Sequence, residues 1–163
     1  MFVCRKAQIT DIPSWLEIAQ EVEPLFGPMP DFPETLALKI ESGMAICAAA
    51  GGSSQILGGC LIGRDSERGW IRWLAVRESA RKNGIGASLL SAALYWLNMN
   101  TVNVLTFCED VDAGRPARHL YGQFGFEPNE VVVTEGQLRQ LFVMQRRSAS
   151  NTMAPGDQRS RHR

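Results

Sequence analysis

The sequence predicts a mixed α+β domain in which helices cover a central, mostly antiparallel sheet. Three observations carry this reading. Two apolar runs, MAICAAAG and QILGGCLIGR, are separated by the turn signal GGSS and read as a hairpin. The run WIRWLAV is followed by a helical pattern and then by VNVLTFC. This strand–helix–strand unit implies a parallel pair joined by a right-handed crossover. EVVV and RQLFVMQ then close the chain as two further short strands. With 163 residues, the chain has the size of one domain with its own core.

The elements follow in order. FVCRKAQI starts as a strand. TDIPS supplies a helix start, with Thr10 or Asp11 as N-cap and Pro13 in the first turn. WLEIAQEVEPLF places Trp15, Leu16, Ile18, Ala19 and Val22 on one face, the mark of an amphipathic helix. GPMPDFP, with three prolines and a glycine, reads as a loop. ETLALKIESG reads as a second helix stopped by Gly43. The hairpin follows, then WIRWLAV (residues 70–76), which becomes apolar throughout, as a strand covered on both faces would. A helix reaching about Asn98, the strand VNVLTFC and the helix RPARHLYGQF, stopped by Gly125, lead to the closing strands.

Composition excludes several classes. No apolar run is long enough to span a membrane, and MFVCRKAQ lacks the order of a signal peptide, so a cytoplasmic protein is expected. The four cysteines form no C-x-x-C pair and read as reduced core residues. The two histidines, His119 and His162, are not spaced to complete a zinc site, and no metal is expected. The net charge is zero but uneven. Five arginines against one aspartate give residues 146–163 a charge of +4, and twelve cations against sixteen anions leave residues 1–145 at −4. An acidic body is not the footprint of a nucleic-acid binder. The folded domain is expected over 1–146, with 147–163 a disordered basic tail.

The stretch RKNGIGASLL, between the central strand and the following helix, carries the chemistry. The first turn of a helix presents unpaired amides and the positive end of its dipole. Gly84 and Gly86 let an anion approach those amides, and Arg77, Arg81 and Lys82 add positive charge. This suits a phosphate or diphosphate. No Lys-Ser/Thr pair follows, as a P-loop requires, and position 89 is Leu where a dinucleotide fingerprint needs a third glycine. On the glycines alone, a tight turn explains the pattern equally well.

The pattern R-x-x-G-x-G at Arg81, Gly84 and Gly86, after WLAV and before an apolar helix, resembles the acetyl-CoA-binding motif of the GCN5-related N-acetyltransferases (GNAT). RKAQITDIPSWLEIA is similar to that family's opening strand and first helix, and ARHLYGQFGFEP to its second signature. The resemblance covers about residues 2–145. It implies a GNAT fold and acetyl transfer from acetyl-CoA to a primary amine by direct attack in a ternary complex. The backbone from Asn83 through Gly84, Ile85, Gly86 and Ala87 to Ser88, with Arg81 and Lys82, would hold the diphosphate. The strand edge at Leu74, Ala75 and Val76 would pair with the pantetheine arm and supply an oxyanion donor. Tyr121 would lie near the sulfur as acid for the thiolate. Relatives are often dimers, so a homodimer is an expectation that no residue here fixes.

Some positions depart from the family pattern. Arg72 and Trp73 stand where many relatives carry a glutamate base. Gly114 stands where many carry an asparagine. Glu23 is the leading candidate base among Glu21, Glu23, Asp31, Glu109 and Asp110, and a water chain serves equally. Tyr121 has a second reading: with Gly125 at C′, it pairs with Phe126 in a Schellman ending. Cys108 reads as core and His119 as surface. The acceptor amine, on a small molecule or a protein, would be framed by EVEPLFGPMPDFPETL and the last two strands. A coenzyme A-binding module with little catalysis and a non-enzymatic phosphate-ligand domain are the alternatives.

Overall fold

The structure is a computed structural model and describes residues 1–146; the expected tail, 147–163, lies outside the described residues. The chain runs β1 (Phe2–Lys6), α1 (Ile12–Phe26), α2 (Phe32–Glu41), β2 (Ala45–Ala50), β3 (Ile56–Arg64), β4 (Gly69–Val76), α3 (Ile85–Leu97), β5 (Thr101–Thr106), α4 (Arg115–Gln123), β6 (Glu127–Thr134) and β7 (Gln137–Gln145). The seven strands form one sheet in the order β1-β2-β3-β4-β5-β7-β6. Every neighbouring pair is antiparallel except β4–β5, the pair joined by the α3 crossover. The predicted α+β class and element order are both found. Among the described residues no helix is long and apolar enough to cross a membrane.

The sheet separates two cores. On one face, Leu89, Leu90, Ala93 and Leu97 of α3 and Tyr121 of α4 pack on Ile62, Ile71, Val102 and Phe142. On the other, Trp15, Ile18 and Val22 of α1 and Leu36 of α2 pack on Cys47, Leu61 and Trp73. Two consecutive glycines in β3 allow both layers to come close. A Cβ at Gly58 would stand 3.0 Å from Leu89 on the α3 side; one at Gly59 would stand 2.4 Å from the Trp15 ring on the α1 side. Successive strand residues face opposite sides, so GG in QILGGCLIGR serves one helix layer each.

Three sequence readings are refined. The loop predicted over GPMPDFP is shorter, because Phe32 and Pro33 form the first turn of α2. Proline is tolerated there, where its missing N–H has no helical partner, and Phe32 is held by Trp73 with ring centroids 5.1 Å apart. Asp11 takes the N-cap position of α1, but its side chain does not cap the helix. It is buried, takes both nitrogens of Arg5 at 2.8 and 2.9 Å, and accepts the Gln8 N–H at 2.7 Å. The closing strands are longer than predicted, joined at Glu135–Gly136. Both residues have positive φ (50° and 74°), as a type I′ turn requires. Gly43 ends α2 as predicted: with φ 71°, it donates to Ile40 O at 3.1 Å, and Met44 donates to Lys39 O at 2.8 Å.

Two consequences are measurable. Gly59→Ala drives a methyl into Trp15 and is expected to cost about 1–3 kcal/mol, the usual range for overpacking, read from denaturant unfolding. The Arg5 hydrogen bonds, opposed by desolvation and aided by the Gln8 N–H, hold the Asp11 carboxyl below its ordinary value. Its stabilisation is therefore present above the ordinary carboxylate range and lost as pH falls through that range toward the folded value. Asp11→Asn should flatten the acid limb of a stability-versus-pH curve; an unchanged acid limb would refute this.

Candidate active site

A wedge opens in the middle of the sheet. β4 and β5 pair only from Gly69↔Val102 to Ile71↔Val104. At that point the β3–β4 register shifts: Ile62 pairs with Ile71 and Leu61 with Trp73, leaving Arg72 as an extra residue in β4. Such a bulge bends its strand and increases the local twist. Beyond it β4 stays on β3, while β5 continues along β7 to Thr106. Arg77 donates its N–H to Leu57 O at 2.7 Å. By antiparallel alternation, Trp73 and Ala75 then turn their backbone groups to β3, and Leu74 and Val76 turn theirs into the wedge. The Val76 carbonyl accepts from Arg81 Nε at 3.2 Å.

The start of α3 faces the same region. Lys82 (φ 65°) and Gly84 (φ 77°) are both left-handed, and the Asn83 side chain donates to Ala80 O and Arg81 O at 3.1 and 3.2 Å. Gly84 is the N-cap and no side chain caps the helix, so the amides of Ile85, Gly86 and Ala87 find no capping group. Ser88 donates to Gly84 O at 3.0 Å and closes the first turn. Gly84 is required by its φ. Gly86 is not: it is helical, and a Cβ there would meet Leu120 at 3.4 Å and Val76 at 3.8 Å. That Cβ would project into the gap between β4 and α4. The turn alone therefore accounts for one glycine and not the other.

Arg81 and Lys82 are exposed at this loop, as expected, but Arg77 is not part of it. It is 8 % exposed and turns beneath α1, with Glu17 at 3.0 Å and Glu21 at 3.6 Å. A count of cations in the sequence carries no information on which way each one points.

Tyr121 sits in the predicted Schellman ending. Phe126 donates to Tyr121 O and Gly125 to Gly122 O, both at 3.1 Å, and the Tyr121 and Phe126 rings lie 5.5 Å apart. The ring is buried, and burial, reinforced by nearby Cys60, pushes the phenol well above its usual value. Leu74, Val76, Leu120 and Phe124 pack partly buried on the same core, so the wedge edge, the Gly86 gap and Tyr121 share one face.

Glu23 is on the other face. It is exposed on α1 and lines a cleft of about 220 Å³ with Leu16, Gln20, Met29 and Phe32. The sheet stands between it and Tyr121, which packs in the core on the α3 side. An aromatic cluster flanks the diverging ends of β4 and β5 on the α1 side: Phe26 meets Trp73 of β4 and Phe107, just past β5, with centroids 6.0 Å apart in each case. Phe107 and the Trp73 contact escaped sequence reading, since no local pattern signals partners so distant in the chain.

The loop after β5 explains the departure at Gly114. A Cβ there would lie 2.5 Å from Phe107 Cβ and 2.7 Å from Arg118 Nη1. Arg118 instead ties the loop, donating to the carbonyls of Phe107, Cys108, Glu109 and Val111 at 2.9–3.4 Å. His119 is exposed, and Cys108 is half-buried. Burial pushes the Cys47 and Cys60 thiols up to about 12. Among the described residues no group of His, Cys, Asp and Glu has the arrangement of a metal site.

Comparison with known proteins agrees with this geometry. No curated protein matches the sequence. The fold is that of a GNAT-family acetyltransferase from Bacillus cereus ATCC 10987, with TM-score 0.71, 18% identity, and coverage of 89% of this chain and 97% of that one. It is also similar to Ard1 from Thermoplasma volcanium, with TM-score 0.72, 20% identity and coverage of 88% and 97%. The paia N-acetyltransferase from Thermoplasma acidophilum, solved in complex with coenzyme A, aligns with TM-score 0.68, 16% identity and coverage of 90% and 99%. Residues 42–128, from the end of α2 into β6, match the family model of the acetyltransferase (GNAT) domain. With over half the chain so matched, and with the wedge and the glycine-lined helix start in one place, this protein belongs to the GNAT acetyltransferase family.

Proposed function

We propose that the protein transfers the acetyl group of acetyl-CoA to a primary amine by direct attack in a ternary complex. The observation that carries this reading is the wedge: a length of unpaired β4 edge running up to uncapped helix amides. The uncapped amides of Ile85, Gly86 and Ala87, within the backbone from Asn83 to Ser88, hold the diphosphate with Arg81 and Lys82. Backbone groups of Leu74 and Val76 extend the ladder to the pantetheine arm, while Ala75 keeps β4 on β3. The bound coenzyme supplies a thioester as acyl donor, and an amide of the wedge edge is placed to stabilise the oxyanion.

Tyr121 stays a phenol at neutral pH. A thiol ionises near 8.5, below a phenol, so complete proton transfer from Tyr121 to a departing thiolate is uphill. Its role is that of a hydrogen-bond donor to the sulfur. The attacking amine must be neutral. Glu23, on the cleft wall, attracts the ammonium and takes its proton, directly or through water. Leu16, Met29 and Phe32 form the apolar part of the same wall.

One observation favours a second reading, a coenzyme A-binding module with little turnover. Trp73 stands in β4 beside the unpaired edge with its ring buried on the α1 side, and Phe26 bridges it to Phe107. No carboxylate belongs to that contact.

Thermal unfolding with acetyl-CoA, coenzyme A and ATP tests the reading. Ligand at a hundred times its dissociation constant adds about 2.7 kcal/mol. A rise with both coenzyme A forms and none with ATP is expected; no rise with saturating acetyl-CoA rejects it. Gly86→Ala should split two readouts. Ala is better than Gly inside a helix by about 1 kcal/mol, so the free protein should melt at an equal or higher temperature. The added methyl enters the gap beside Val76 and Leu120, so the coenzyme-induced shift should shrink. Tyr121→Phe should leave melting nearly unchanged and lower kcat about a hundredfold on an amine found by screening a panel, with little change in KM for acetyl-CoA. Equal kcat for the variant would remove Tyr121 from the chemistry.

A further inference from the structure

α1 and the loop before α3 are held together by a single buried arginine and two carboxylates. Arg77 leaves the end of β4 and fills the space under α1. Its Nε donates to Ile56 O at 3.2 Å, and its Nη2 to Ser14 Oγ and O at 3.2 and 3.3 Å. Ser14 Oγ in turn accepts the Ile56 N–H at 2.9 Å. Nη1 faces Glu17 at 3.0 Å and Glu21 at 3.6 Å. The two carboxylates differ in one respect. Glu21 spends its second oxygen on the Glu78 N–H at 2.9 Å, and Glu78 opens the turn that leads into Arg81–Ser88. Among the described residues Glu21 is thus the one carboxylate bonded to both Arg77 and the backbone of that loop.

We propose that Glu21 is a positioning residue that couples coenzyme binding at the α3 loop to the placement of α1. This rests on the function proposed above. Glu23 follows two residues later on the same helix and Phe26 five, so a shift of α1 moves a cleft wall and one side of the aromatic bridge together. Ordering of the loop fixes the Glu78 amide, which fixes Glu21 and with it the helix. By linkage, an acceptor that orders α1 also tightens coenzyme binding by the same factor.

The test is hydrogen–deuterium exchange of the full chain with and without coenzyme A. In the wild type, coenzyme A should slow exchange over residues 77–88 and also over 14–26, by about fivefold or more in α1. Glu21→Ala should keep the loop response and lose the α1 response. Glu21 is partly exposed, so this variant should fold. Glu21→Gln retains an acceptor for the Glu78 amide and should restore the response. Glu17→Ala removes the closer ion-pair partner of Arg77 but leaves the bond to the loop, so it should retain the response. A merely structural role would make Glu17→Ala and Glu21→Ala behave alike, and that result overturns the proposal. Loop protection with no α1 response in the wild type also overturns it while sparing the proposed function. Protection in neither segment rejects both.

Discussion

One extra residue in β4 sets the geometry on which the site depends. A strand cannot follow two diverging neighbours, and at Arg72 β4 leaves β5 and stays with β3. The chain spends the unpaired length on a wedge, and everything else is arranged about it. α3 starts where the opened strand ends, because the crossover that makes β4 and β5 parallel must leave from that point. α4 closes one side with Leu120 and Tyr121, and α1 closes the other with Phe26. The bulged arginine lies over the Trp70 ring, 4.5 Å from guanidinium to centroid, which gives its side chain a place on the surface.

The second constraint is closeness. Helices on opposite faces reach the same strand because Gly58 and Gly59 stand back to back. That brings α1 near enough for Arg77 to be buried between it and β4. A buried charge without partners costs several kcal/mol, whereas here the guanidinium meets two carboxylates, a hydroxyl and two carbonyls. Both carboxylates keep their solvent-facing side, so the pair is not fully desolvated. The network ties α1 to β3, to the end of β4 and to the loop before α3.

Much of this was legible in the sequence wherever the cause was local. Gly125 and Phe126 announced the helix ending that places Tyr121, and Gly43 announced the end of α2. The hairpin signals and the strand–helix–strand unit gave the element order. Pro33 misled because a proline that starts a helix looks like one that belongs to a loop. The bulge at Arg72, the direction of Arg77 and the partner of Asp11 depend on residues far apart in the chain, so no window of sequence contains them. Gly86 lies between these cases. Its spacing was visible, but only the structure shows that the fold does not demand it.

The wedge also gives the sheet a third edge. The two outer edges carry ordinary protection against pairing with other chains: β1 places Arg5 and Lys6 on its strand, and β6 carries Glu127, Pro128 and Glu130 with a bulge after Pro128. The edge at Leu74 and Val76 has no charge or proline of its own. Part of its protection is the bond from Arg81 Nε to the Val76 carbonyl, and the rest is enclosure. With Tyr121 and Leu120 on one side and Phe26, Trp73 and Phe107 on the other, flanking side chains stand in the way of a folded strand approaching with its neighbours. On the function proposed above, the enclosure that receives the pantetheine arm also shields this edge from pairing with another chain.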